Sequence, residues 1–135
     1  MEQTDYLLRQ INRLTNLLQQ LLSNILKLKD ENRSECLQLI QKNLKEIIGK
    51  DAGEIGELSN EKLMEIIDEK KMSRQGKINL TEILEIAATL LNKAEQKKLS
   101  EKILFIYEDI SKIKGDTFSI ELNLKMEAIY KQLTE

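Results

Sequence analysis

Leu7, Ile11, Leu14, Leu18, Leu21, Ile25 and Leu28 step along the chain by alternating four and three residues, and Leu8, Leu17, Leu22 and Leu26 widen the apolar stripe to one side. That period predicts a helix over residues 5–29. A narrow seam would suit a two-stranded coiled coil, whereas a stripe this wide suits packing against two neighbours inside a globule. An obligate homodimer built on this first helix stays open as an alternative. Asp30-Glu31-Asn32-Arg33 has no apolar residue and reads as a turn. A second helix is expected from Ser34, with Leu37, Ile40, Leu44, Ile47 and Ile48 inward and Gly49 ending it in the left-handed conformation. So short a connection makes residues 5–49 an antiparallel hairpin.

Residues 50–58, with Asp51, Gly53 and Gly56, read as a linker. Ser59 then caps a short third helix to about Lys71, with Leu58 before the cap and Leu63 inside placed as a hydrophobic staple. Together these make a linker and short helix over 50–72. Ser73-Arg74-Gln75-Gly76-Lys77 breaks the pattern, and Asn79 with Glu82 has the form of a capping pair. A fourth helix is predicted from there to about Gln96, holding Leu80, Ile83, Leu84, Ala87, Leu90, Leu91 and Ala94 on one face. A fifth is expected from Ser100 to Gly115 with Ile103, Ile106, Tyr107, Ile110 and Ile113, which closes a second hairpin over 79–114. A capping helix follows over 117–133, carrying Phe118, Leu122, Met126, Ile129 and Leu133.

The two hairpins share an echo. Ser34-Glu35-Cys36-Leu37 with Ile40, Leu44 and Ile47 returns 66 residues later as Ser100-Glu101-Lys102-Ile103 with Ile106, Ile110 and Ile113. If the echo marks a repeat, Ser34 and Ser100 start equivalent helices.

Composition agrees with an all-α chain of 135 residues forming a single helical domain over 1–135, because proline is absent, glycine occurs only five times, and Leu, Ile, Glu and Lys predominate. A net charge of −2 gives no general attraction to nucleic acid or to an anionic membrane. The charge is uneven, with eleven acids against six bases over 30–70 and nine bases against six acids over 71–114. Basic segments at 70–77 and 93–102 are dilute and lack interleaved aromatics, so no nucleic-acid partner is expected. No window approaches the length of a membrane span, and no secretory leader opens the chain, which makes a cytoplasmic protein the expectation.

Reactive side chains are few. Histidine, the usual general base and metal ligand, is absent, which removes triads and His-based zinc sites. The single Cys36 cannot pair within the chain and reads as a small packing residue. Glu82 with Glu85, and Glu65 with Asp68 and Glu69, share helix faces but read as solvated surface in so Glu-rich a chain. No phosphate-binding loop is present, and no catalytic, cofactor or metal residue is assigned. At the N-terminus Asp5 and Arg9 stand four apart with Tyr6 between them; they form an exposed helical pair or a contact point for a partner.

The order helix, polar turn, Ser-Glu-x-Leu, second helix resembles the tetratricopeptide repeat, with residues 14–48 and 80–114 similar to one hairpin each. Most of the chain also resembles a family of small uncharacterised bacterial proteins, a domain of unknown function. The resemblance is carried by the opening Gln3-Thr4-Asp5-Tyr6-Leu7-Leu8-Arg9-Gln10-Ile11 ahead of such hairpins. It implies a fold of about six helices in antiparallel hairpins, as a tetratricopeptide-like array or bundle, and a bacterial setting, with no activity to transfer. The expected function is a non-enzymatic scaffold or adaptor that binds a protein partner or itself. A ligand sensor or enzyme with a carboxylate or lysine site between helices is the alternative.

Overall fold

The computed structural model describes residues 2–28, 31–111 and 118–134, with the side chains of 8–28, 31–111, 124–131 and 133. The fold is all-α, with seven helices among the described residues: α1 Glu2–Leu28, α2 Arg33–Ile47, α3 Ala52–Glu57, α4 Asn60–Glu69, α5 Arg74–Leu90, α6 Lys93–Ser111 and α7 Phe118–Thr134. The expected ends of the fifth helix at Gly115 and of the sixth near Thr117 lie outside the described residues.

Helix α5 occupies the centre. Its face of Ile78, Leu80, Ile83, Leu84, Ala87 and Ala88 is buried, and it packs on α1, α2, α3 and α6. Helices α1 and α2 form one antiparallel hairpin; α5 and α6 form another. The second is tied by the Lys77–Asp109 ion pair at 2.9 Å and by Tyr107 donating to Glu85 at 2.5 Å. Helices α1 and α5 run side by side in the same direction. Thr15 shares a hydrogen bond of 2.6 Å with Ser73 at one end, and Arg33, the first residue of α2, donates to the Thr89 carbonyl at 2.8 Å at the other. Helix α7 lies over α6.

The wide stripe of α1 is used within the monomer. Leu18, Leu21, Leu22 and Ile25 are buried in the common core with Ile40 and Leu44 of α2 and Ile83 and Leu84 of α5. Cys36 is buried there as well, its thiol donating to the Ile25 carbonyl at 3.7 Å. Gly49 ends α2 as expected, at φ 93°, its amide shared between the Leu44 and Lys45 carbonyls. Ser59 caps α4, and Leu63 is buried while Leu58 packs at the edge of the core.

Four local expectations are corrected. The 50–58 linker contains a helix, α3, because Asp51 and Glu54 make a capping box and Ala52 and Ile55 are buried. Helix α5 starts at Arg74 rather than Asn79, since the Ser73 hydroxyl accepts from the Gly76 amide at 3.0 Å. Gly76 sits inside the helix because α1 approaches closely. A Cβ there would lie 3.2 Å from Ser73 Oγ and 3.3 Å from Thr15 Oγ1. The fourth helix ends at Leu90 rather than Gln96, as Leu91 is extended and Asn92 takes up the next cap by accepting from the Glu95 amide at 2.9 Å. Ala94, expected on the buried face, is exposed.

The echo fails for the same reason. Ser34 stands in the first turn of α2 behind the true cap, Asn32, whereas Ser100 is buried in the middle of α6. Equivalent starts belong to Asn32-x-x-Glu35 and Asn92-x-x-Glu95, where each asparagine side chain accepts from the glutamate amide at 3.0 and 2.9 Å.

With Leu18 0 % exposed and its neighbour Leu17 39 % exposed, the two leucines respond oppositely to a charge. Leu18→Glu buries an unpaired carboxylate and unfolds the monomer, a loss of about 4 kcal/mol or more, while Leu17→Glu costs under about 1 kcal/mol. Urea titrations followed by circular dichroism read both. A folded monomeric Leu18→Glu chain would place that residue in a dimer seam instead.

Candidate interaction groove and polar cleft

The first candidate is a groove of about 460 Å³ along α1 and α2, lined also by Lys70. Leu14, Leu17 and Leu21 of α1 and Leu39 and Ile47 of α2 make its apolar floor. Gln10, Arg13, Gln20, Asn24, Asn43 and Glu46 stand around it. It exists because α1 turns one edge of its wide stripe to α5 and another to α2, which leaves Leu17 partly uncovered. A hollow of about 340 Å³ continues along α1 between Arg9, Asn12, Arg13, Asn16, Leu17 and Gln20. Asn43 uses one amide hydrogen on the Leu39 carbonyl at 2.8 Å, so its carbonyl oxygen is left for a ligand.

The expected contact residues fall partly here. Arg9 is exposed and lines the continuing hollow. Asp5 and Tyr6 lie in α1, but their side chains are outside the described residues. Reading for the terminal pair alone missed Arg13, Leu17 and Gln20. A signal for them exists in the chain: from Tyr6 to Leu28 there is no acidic residue, although 23 occur overall, and that same stretch carries Arg9, Arg13, Lys27 and six carboxamides. Among the described residues Arg9, Arg13 and Lys70 make no ion pair with an acid.

The second candidate is a cleft of about 300 Å³ between α5, α6 and α7. Small side chains create it: Ala88 and Thr89 of α5, Ser100 of α6 and Ala128 of α7 leave room that Ile103 and Ile129 do not fill. Glu85, Gln96 and Lys125 supply polarity. One Glu85 oxygen accepts from the Tyr107 hydroxyl, and Lys125 reaches Glu82 at 3.5 Å while standing 5.9 Å above the Tyr107 ring. Burial raises the Glu85 carboxyl above the ordinary carboxylate range, with Tyr107 and Lys125 pulling it back only in part. Burial, and then its hydrogen bond to Glu85, lift the Tyr107 hydroxyl well above the ordinary phenol range. The two acids expected as solvated surface therefore differ: Glu82 is half-buried beside Lys125, and Glu85 faces a cleft. Glu65, Asp68 and Glu69 are exposed, as expected. Such a carboxyl could exchange a proton with a heteroatom seated in the cleft.

Among the described residues no three Asp, Glu or Cys side chains gather to hold a metal ion, and no helix is long and apolar enough to cross a membrane. No protein-family profile, curated protein or solved structure matches the chain.

The raised Glu85 carboxyl fixes the sign of a pH effect. The folded state keeps its proton to a higher pH than the unfolded state does, so this group's contribution to stability falls as pH rises from the ordinary carboxylate range through the raised value. Glu85→Gln can still accept from Tyr107 and does not titrate. Thermal unfolding at pH 4 to 7 is therefore expected to show the variant gaining on the wild type as pH rises. A constant difference, or one that moves the other way, contradicts the burial of Glu85.

Proposed function

We propose that this chain is a non-enzymatic, cytoplasmic scaffold that docks a protein segment in the groove between α1 and α2. The observation that carries the reading is the composition of that groove. An apolar floor of Leu14, Leu17 and Leu39 is rimmed by carboxamides, which can both donate to and accept from a main chain in extended or helical form. It is an open trough rather than an enclosed site. Those properties suit contact with a chain better than chemistry on a small molecule. The resemblance of the opening segment from Gln3 to Ile11 is the support for adding a bacterial setting to this proposal.

A second reading rests on the α5–α6–α7 cleft. Its raised carboxyl, neighbouring phenol and ammonium form the one described constellation with the character of a ligand site. In that reading the cleft senses a small molecule, and α7 is the element whose seating would report it.

A photoreactive residue in place of Gln20 is expected to trap one discrete protein adduct in the cells that make this protein. The same residue in place of Glu65, exposed on α4, should trap none. Leu17→Glu should abolish the adduct without unfolding the chain. Equal adducts from positions 20 and 65, or adducts indifferent to Leu17, would remove the groove from consideration.

A further inference from the structure

Charge is distributed over the groove in a way the whole chain does not predict. The protein is net acidic at −2, yet the described groove and its continuation hold Arg9, Arg13 and Lys70 against the single acid Glu46. None of the three cations is paired with an acid among the described residues, so each keeps its attraction for an incoming charge. The acid-free run of α1 supplies two of them on the side of the helix that the core leaves open. Leu17, 39 % exposed, lines both hollows and adds an apolar contact beside the cations.

We infer that the groove selects an acidic, apolar segment of a protein partner, with carboxylates set against Arg9, Arg13 and Lys70 and apolar side chains on the floor around Leu17. This deepens the docking role proposed above and rests on it. Nucleic acid fits less well, because phosphates would meet the cations but leave the leucine floor bare, and among the described residues no aromatic side chain lines the groove to stack a base. A second copy of the chain is also a poor occupant. Its α4 carries Glu61, Glu65, Asp68 and Glu69, but Leu63 and Ile67 of that helix are already buried in its own core, with Met64 and Ile66 partly so. Exposed rim charges of this kind act chiefly on encounter rate and discrimination, so the interaction is salt-sensitive and rejects basic segments.

The test is a random-peptide display selection against the full-length protein, followed by fluorescence anisotropy of the enriched peptides on wild type, Arg9→Glu/Arg13→Glu and Leu17→Glu. Both charge changes are on exposed positions, and circular dichroism verifies that the variants remain folded. Enriched peptides are expected to be net negative with apolar residues. They should bind the double variant at least about tenfold more weakly and loosen about tenfold between about 50 and 500 mM salt. Neutral or basic peptides that depend on Leu17 but not on the arginines would overturn the acidic partner while leaving the docking role intact. No Leu17-dependent peptide at all would overturn both. A Leu17-dependent dimer in sedimentation, competing with the peptides, would make a second copy the occupant and overturn the inference.

Discussion

Everything in this fold follows from the need to cover α5. Leu80, Ile83, Leu84 and Ala87 are at most 1 % exposed, and Ile78 and Ala88 extend the apolar surface beyond a single stripe. Each large side chain so buried contributes about 1.5–3 kcal/mol, and no single neighbour can cover so broad a surface. Helices α1, α2, α3 and α6 close around it. At Gly76, Thr15 and Ser73 leave no comfortable space for a Cβ. Near it Asn79, itself buried, donates to the Thr15 carbonyl and accepts from Gln75, so the polar groups at this crossing are satisfied. That crossing sets the rotation of α1 about its own axis. Leu18 and Ile25 are turned inward by it, and Leu17 with Arg13 and Gln20 is turned out to form the groove.

Much of this was legible in the chain wherever apolar period and cap agreed. The stripe of α1, the inward face of α2, the stop at Gly49 and the start at Ser59 all follow from residues acting locally. The misread boundaries are those where a tertiary contact or a second capping signal decided. Gly76 looks like a breaker, and the crowding of its Cβ position by Ser73 and by Thr15 of α1 accounts for a glycine inside a helix. Asn92 interrupts an apolar pattern that runs on past it, and its partner Glu95 was the missed signal; Asp51 with Glu54 was the corresponding signal for α3. At the end of α4, Lys71 takes φ 52°, a left-handed position that glycine usually fills and that carries no mark in the sequence.

The candidate sites were less legible, since each is made by a third element. Arg9 was recognisable as a polar position on α1, but that α2 and Lys70 enclose a trough beside its neighbours depends on tertiary packing. Glu85 was indistinguishable from other glutamates until α7 placed Lys125 and Ala128 over it. The groove is built by α1 and α2 and the cleft by α5, α6 and α7, with no lining residue in common. Their opposed polarities, unpaired cations in one and a burdened carboxyl in the other, keep their ligands distinct.

The dependence of the whole on α5 is most directly tested by native-state hydrogen exchange, resolved by residue, over rising denaturant. The amides of α5 from Ile78 to Ala88 and those of α1 from Leu18 to Ile25 are expected to exchange together, at the free energy of global unfolding. If α1 and α2 instead open as a unit well below that free energy while α5 and α6 stay protected, the hairpins are independent stacked modules. The single core centred on α5 would then be contradicted.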